Sequence, residues 1–236
     1  MINKIEDLKE KFGNRIIINE DLSKYSWFNL GGPGEIFFRP DNFIELSNFF
    51  KNYNNSNNKI TLIGAGSNTL IRDGGIKGTI IKLSSKFSYI NLLENNIIEA
   101  GAATPDKKIS DFATDNSLTG LEFLACIPGS IGGAIKMNTG CYGYEISSIL
   151  HSIKVMNFKG EISVIKKEDI NFYYRGCDLP NDLIILSAKF YGEQLISELV
   201  QKKQLELIEK KKLLNQVKSR LVVVHLKIQK TQRLGN

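Results

Sequence analysis

The residues of this chain best equipped for chemistry begin in a loop dense in glycine and small polar side chains, Ile63-Gly64-Ala65-Gly66-Ser67-Asn68-Thr69-Leu70-Ile71-Arg72-Asp73-Gly74-Gly75. Successive backbone N–H groups in such a loop can form a concave nest for an anion, most often a phosphate. Two commoner phosphate loops are excluded. Walker A needs a Lys followed by Ser or Thr after its last glycine, and none is present. A Rossmann fingerprint needs Gly or Ala where Thr69 stands and a long helix where Gly74 and Gly75 interrupt the chain. Glycine clusters also mark ordinary turns, so on these residues alone a structural turn and a non-Rossmann phosphate cradle stand level. A second cluster follows about sixty residues later, Glu122-Phe123-Leu124-Ala125-Cys126-Ile127-Pro128-Gly129-Ser130-Ile131-Gly132-Gly133-Ala134-Ile135-Lys136-Met137-Asn138-Thr139-Gly140. By itself it reads as a pair of tight turns around an edge strand. Two such clusters, each between strands, suggest one extended ligand, and a dinucleotide such as a flavin, whose pyrophosphate needs a cradle, is the simplest.

The elements that must position these loops can be read from periodicity. Ile5, Leu8 and Phe12 share one face of an N-terminal helix, and Ser26 to Gly34 turn into a strand over Glu35 to Arg39. Asp41 caps a helix whose apolar face is Phe43, Leu46, Phe49 and Phe50, and a polar loop from Asn52 to Asn57 follows. Strands over Lys59–Ile63 and Gly78–Leu83 flank the first glycine loop, completing a small α/β unit. Beyond it come short strands at Phe87–Leu92 and Asn96–Ala100. A helix is expected with Thr104 as its cap, Pro105 at its first position and Ile109, Phe112 and Ala113 inward. A hairpin (Ser152–Asn157 and Glu161–Ile165), a strand over Leu183–Phe190 and a helix from Glu193 to about Leu214 complete the pattern. Ile196, Leu199, Val200 and Leu207 are the expected inner face of that last helix.

Composition narrows the class. At 236 residues the chain can build one large core or two modest ones. No apolar run reaches the roughly 18 residues of a membrane span, and the charged N-terminus is unlike a signal peptide, which points to a cytoplasmic protein. Cys126, Cys141 and Cys177 are odd in number and widely spaced, as expected of reduced thiols. His151 and His225 are too far apart in sequence to suggest a histidine metal site or a Ser-His-Asp constellation, so no metal is expected. The net charge of +6 is spread over scattered lysines, and the dense cluster Lys202–Lys212 is interleaved with glutamates as on a solvated helix face, so nucleic-acid binding is not expected.

Four motifs then resemble, in order, those of the UDP-N-acetylenolpyruvoylglucosamine reductase (MurB) family. Phe28-x-x-Gly31-Gly32-Pro33 is similar to its opening turn. Gly64-x-Gly66-Ser67-Asn68-x-Leu70-x-x-Asp73-x-Gly75-x-x-Gly78 is similar to its pyrophosphate loop. Gly120-x-Glu122-Phe123 with Ile127-Pro128-Gly129-Ser130-x-Gly132-Gly133-Ala134-x-x-Met137-Asn138-x-Gly140 resembles its flavin-ring segment, and Tyr174-Arg175 its substrate arginine motif. The resemblance covers residues 20 to 190. It implies an α+β, two-subdomain FAD-binding fold of the vanillyl-alcohol oxidase (PCMH) type, spanning 1–84 and 85–191, with the start of a substrate-binding domain at 192–236. It also implies an oxidoreductase of peptidoglycan precursor synthesis, in which NADPH reduces FAD and the flavin reduces the enolpyruvyl group of a UDP-sugar. The implied cofactor-binding residues are Gly64, Ala65, Gly66, Ser67, Asn68, Thr69, Leu70, Ile127, Pro128, Gly129, Ser130, Gly132, Gly133 and Asn138, with Ser67 and Asn68 lending side chains. Tyr174 and Arg175 are the implied substrate residues, and Arg175 the catalytic one, because a fixed guanidinium can counter negative charge developing on the substrate. Read without the motif, Arg175 is a surface arginine and Tyr173 or Tyr174 a packed core aromatic. Cys177 departs from the family, where a serine commonly stands two residues after the arginine.

The resemblance stops after Arg220. There the family continues with Thr-Gly-Gly-Ser or Cys-x-Phe-Lys-Asn-Pro, whereas this chain reads Leu221-Val222-Val223-Val224-His225 and on to Asn236. One synonymous coding of that tail, shifted by one nucleotide, restores the motif. The expectation is therefore a frameshift after Arg220, a truncated substrate domain lacking the family's proton donor and late glutamate, and an FAD-binding protein whose own turnover is in question. A monomer with no membrane or nucleic-acid partner completes the expectations, and another flavin oxidase of the same fold is the remaining alternative.

Overall fold

The computed structural model of the protein describes residues 2–53 and 59–214, without the side chains of residues 2–5 and Tyr53. The sequence from 215 to 236, and with it the tail from Leu221, lies outside the described residues, as does most of the polar loop expected after Asn52.

The chain opens with α1 (Ile2–Phe12), β1 (Ile16–Asp21), β2 (Pro33–Phe38), α2 (Phe43–Tyr53), β3 (Ile60–Leu62) and β4 (Ile76–Ile81). Their sheet runs β1-β2-β4-β3, antiparallel at β1–β2 and parallel elsewhere. Strand β1, absent from the sequence reading, buries Ile16 and pairs Ile18 with Ile36. Its burial alternates along the whole strand, through Asn19 at φ 54°, but three isoleucines followed by Asn19, Glu20 and Asp21 show no such alternation in residue type. The cap of α2 is Asn42, whose Oδ1 accepts from the Glu45 N–H at 2.9 Å, while Asp41 pairs with Arg15 and Lys86. Glu45 reaches back to the Asp41 N–H, so this terminus is closed from both sides.

Next come β5 (Ile90–Leu92), β6 (Ile97–Gly101), α3 (Asp106–Asp115), β7 (Leu118–Thr119), a 3₁₀ turn over Glu122–Cys126, α4 (Ile131–Lys136), β8 (Gly140–Cys141), β9 (Tyr144–Glu145) and α5 (Ile146–Ile149). They are followed by β10 (Leu150–Asn157), β11 (Ile162–Lys166), β12 (Phe172–Tyr173), β13 (Gly176–Cys177), β14 (Leu183–Tyr191), β15 (Glu193–Gln194) and α6, residues 197–214. A second, wholly antiparallel sheet runs β11-β10-β14-β6-β5.

Strand β14 ties the two units together. Ile184 and Leu186 join Met156 in a core with Leu8, Phe12, Phe38, Phe49 and Ile81 of the first unit. Ile185, Ala188 and Phe190 face the opposite core, with Ile109, Leu124, Ile131 and Ile153. Between Val155 and Lys154 the partner on β14 jumps from Ile185 to Ser187, so Leu186 is an extra residue. Alternation lets the strand serve both cores, and the bulge switches the even-numbered positions from the first core (Ile184, Leu186) to the second (Ala188, Phe190).

Three expectations about local structure are corrected. Pro105, not Thr104, occupies the cap of α3, because the Thr104 hydroxyl is held by the backbone of Tyr89 (3.1 Å to both N and O) and the helix starts one residue later. The second glycine cluster is a 3₁₀ turn, a loop and the short helix α4 rather than turns around an edge strand. Residues 193 and 194 pair with Thr119 and Leu118, which delays the last helix to residue 197 and rotates its buried face. Val200 and Gln204 are buried, with Gln204 Nε2 donating to Ser110 Oγ at 2.9 Å, whereas Ile196 and Leu199 are exposed.

Candidate active site

Two glycine segments meet in space. The first connects β3 to the parallel neighbour β4, a crossover that usually carries a helix. Here the whole connection is loop, pinned through its carbonyls: Gly64 O accepts from Lys82 Nζ, Gly66 O from the Trp27 N–H (3.1 Å) and Thr69 O from Ser26 Oγ (2.9 Å). Among the described residues, the N–H groups of Gly64 through Asn68 donate to no protein acceptor. Gly66 has a φ of +73°, and a Cβ there would stand 1.8 Å from Tyr25 O. Lys82 is half-buried beside the loop, and burial, reinforced by Arg39, holds its ammonium pKa below the usual range. Rigid amides with cations alongside are what an anionic diphosphate requires. The cradle therefore fits the pyrophosphate of FAD on chemistry the protein itself supplies.

The second segment closes on the first. Ser67 Oγ donates to Pro128 O at 2.7 Å, across 61 residues of sequence, and a Cβ on Gly64 would stand 3.3 Å from Ser130 Oγ. Gly129 packs beside the same contact, 3.7 Å from Ser67 Oγ measured from its virtual Cβ. The other expected residues take different places. Ile127 belongs to the core, Thr69 is half-buried and Leu70 points to solvent. The amides of Ile131 and Gly132 are consumed by Thr104 O and Ala102 O, and a Cβ on Gly132 would stand 3.2 Å from that of Ala102. Gly133 is exposed on α4 and Asn68 on the loop.

Arg175 lies elsewhere along the chain's surface, at a second feature. The strands β12 and β13 pair Tyr173 with Gly176, so Tyr174 and Arg175 form a two-residue turn. Arg175 has φ +63°, a position where turns favour Gly or Asn. Both residues line a cavity of about 260 Å³ together with Asn138, Cys141, Tyr144 and Glu145. The Arg175 guanidinium carbon stands 5.7 Å from the centroid of the Tyr174 ring. Neither tyrosine is a core aromatic: Tyr173 is 58% and Tyr174 82% exposed, because the hairpin carries them outward. Cys177, by contrast, is buried with Sγ 3.6 Å from Lys136 O.

Asn138 sits at the floor of that cavity, buried, with φ 41°. Its Nδ2 donates to Glu145 Oε2 (2.9 Å) and Tyr173 O (3.2 Å), and its Oδ1 accepts from the Ser147 N–H (3.2 Å). The side chain is thus committed to joining the Arg175 hairpin to α5. Asn138→Ala should destabilise the fold by about 3 kcal/mol, from several polar groups left unpaired, without altering the affinity for FAD. A thermal melt and a flavin titration on the same preparation check both halves.

Two features beside the cradle had no signal in the motifs. Lys82 reads as one lysine among many, and its place beside Gly64 follows only from strand pairing. Asp106 begins α3 as an ordinary acidic first-turn residue, yet it is fully buried against Gly129.

The architecture and the paired glycine segments define a flavin-binding protein. Residues 34–166 match the family described as an FAD binding domain. The chain is 44% identical over 210 residues to the UDP-N-acetylenolpyruvoylglucosamine reductase of Pelagibacter ubique, covering 89% of this chain and 69% of that protein. It is 41% identical over 170 residues to the enzyme of that name from Rickettsia prowazekii, covering 72% of this chain and 57% of that one. The chain belongs to the UDP-N-acetylenolpyruvoylglucosamine reductase family. Among solved structures, MurB from Thermus caldophilus superposes with a TM-score of 0.73 at 26% identity, covering 84% of this chain and 70% of that one. Berberine bridge enzyme shares the fold alone, at a TM-score of 0.60 and 12% identity, covering 84% of this chain and 44% of that one.

Proposed function

We propose that this chain binds FAD between Gly64–Asn68 and Pro128–Ser130 and serves the NADPH-dependent reduction of UDP-N-acetylglucosamine enolpyruvate to UDP-N-acetylmuramate in peptidoglycan precursor synthesis. The single observation that carries the reading is the Ser67–Pro128 hydrogen bond, which turns two distant glycine segments into one cradle. Bound there, FAD would supply a hydride acceptor and donor. The protein's own groups do the rest. The Gly64–Asn68 amides and Lys82 hold the diphosphate, and Arg175, with Tyr174 against it, meets the substrate's carboxylate and the charge that builds on it. The cavity beside Arg175 is also lined by Asn138, Cys141, Tyr144 and Glu145, and it is open to solvent at the exposed Tyr174.

In this reading residues 1–84 and 85–191 are the two FAD-binding subdomains, each supported by its own sheet, and 192–236 begins the substrate-binding domain. Residues 193–204 pack against β7 and α3, which makes that start continuous with the second subdomain. The proposed setting is a cytoplasmic monomer. Among the described residues no helix is long and apolar enough to cross a membrane.

The second reading, an FAD-binding protein of this family without turnover, is favoured by one feature. The residues after Arg220 do not carry the motif the family has there. Titrating the purified chain with FAD and then adding NADPH and the enolpyruvyl UDP-sugar separates the two. Flavin binding with substrate-dependent reoxidation supports the reductase, a yellow protein that is never reoxidised by substrate supports the second reading, and no flavin binding at all sinks both.

A further inference from the structure

Asp106 is the one group in the cradle whose chemistry the proposed function leaves unused. Its side chain is fully buried, and both carboxyl oxygens lack a hydrogen-bond partner. Oδ2 faces Gly129 so closely that a Cβ on that glycine would stand 2.7 Å away, while the same point is 3.7 Å from Ser67 Oγ. The carboxyl therefore lies against the contact at which the two glycine segments join. Its own backbone helps to make that contact, because the Asp106 N–H donates to Gly129 O (3.3 Å). Buried polar groups are almost always paired, and leaving one unpaired costs about 1–3 kcal/mol. A fold that retains two such atoms at its cofactor cradle is holding them for a use.

Resting on the FAD reading above, we propose that Asp106 is a cofactor-binding residue, whose neutral carboxylic acid donates a hydrogen bond to a phosphate oxygen of FAD held by the Gly64–Asn68 loop. An ionised carboxylate in that place would repel the diphosphate, so the protonation state decides whether the group helps or hinders. Burial alone raises its pKa, to about 8, so the acid form prevails at neutral pH. No charged side chain contributes to that shift. On its own helix, Lys107 is engaged with Asp111 at the surface (2.6 Å) and Lys108 is exposed. From the facing segments, Pro128, Gly129, Ser130 and Ser67 bring no charge, and the cations of the cradle, Lys82 and Arg39, make no contribution to the shift of Asp106.

Two consequences follow for pH. Stability from the neutral acid is fully present below the unfolded carboxyl value of 3.8 and is lost as pH rises through about 8, since the unfolded chain ionises first. FAD affinity should hold from pH 6 to 7.5 and then fall by up to tenfold per pH unit as Asp106 ionises.

The test measures FAD dissociation constants by flavin fluorescence from pH 6 to 9.5 for the parent, Asp106→Asn and Asp106→Leu. Asn keeps a neutral donor of the same shape, so its affinity should stay within threefold of the parent at pH 6.5, and its profile should lose the fall centred near 8 while keeping any loss due to Lys82. Leu keeps the branched skeleton without the donor but is bulkier, so its affinity should drop tenfold or more whether or not its melting temperature changes. A parent-like dissociation constant and pH profile for both variants overturns the role of Asp106 and leaves the FAD reading standing. A parent that binds no FAD removes the reading and the proposal together. If Leu lowers stability yet leaves flavin affinity unchanged, the residue is structural only and the proposal fails.

Discussion

Replacing Gly66 with alanine is expected to weaken FAD binding by a hundredfold or more while leaving the two cores folded. The cause is local and severe. A methyl group at this position would have to occupy space 1.8 Å from Tyr25 O, and the backbone is at φ +73°, where an L side chain is disfavoured by about 1 kcal/mol or more. Neither partner can yield cheaply. Tyr25 is stacked on the buried Phe37 ring at 4.6 Å, and Ser26, next in sequence, is fixed to Thr69 O. The loop must therefore move away from Tyr25, and its amides move with it. Gly74→Ala is the matched control, because nothing lies within 4 Å of its virtual Cβ and its φ is ordinary. Flavin fluorescence titration of the two variants should separate them widely; equal affinity for both would mean that the loop does not hold the diphosphate.

How much of this molecule could be read from its sequence depended on whether chemistry or packing chose the residue. The β3–β4 loop was legible because only glycine tolerates the approach of Tyr25 O, so the constraint is written directly into residue type. Strands β10, β11 and β14 were legible because their apolar runs are long enough to outvote single exceptions. Strand β1 was not, since its three isoleucines followed by Asn19, Glu20 and Asp21 hide in residue type the alternation that its burial follows. The face of α6 was misread for a different reason. Residues 193 and 194 are captured by β7, and that tertiary pairing, invisible to helical periodicity, shifts the helix start and exposes Ile196 and Leu199. In the site, Ser67 and Pro128 could be named but not joined, because a contact across 61 residues has no local signature. Asp106 was hidden by resemblance to the commonplace: an acidic residue after a proline at a helix start is ordinarily exposed, and the packing of Gly129 against its carboxyl has no local signature.

Arg175→Gly is expected to make the protein slightly more stable and to disable it. In the Tyr174–Arg175 turn, the second position carries φ +63°, a conformation glycine adopts without penalty. Relieving the arginine of it should return about 1 kcal/mol, which for a chain of this size raises the melting temperature by about 2–4 °C. The side chain itself contributes little to the fold, since it is exposed and its contact with the exposed Tyr174 ring is worth no more than about 1 kcal/mol. A residue kept at a strained position against stability points to use. Loss of the guanidinium should lower turnover by about a hundredfold to a thousandfold, the range for removing one preorganised donor to developing negative charge. It should also weaken substrate binding, read as the shift of the flavin spectrum on adding the UDP-sugar. Arg175→Lys should fall between, keeping the charge and losing the planar fork. FAD affinity should be unchanged in both variants, because the cradle is built from Gly64–Asn68 and Pro128–Ser130 and not from this hairpin. A glycine variant that binds and turns over substrate within fivefold of the parent would refute the role of Arg175, and one that melts well below the parent would show that the arginine is held there by packing.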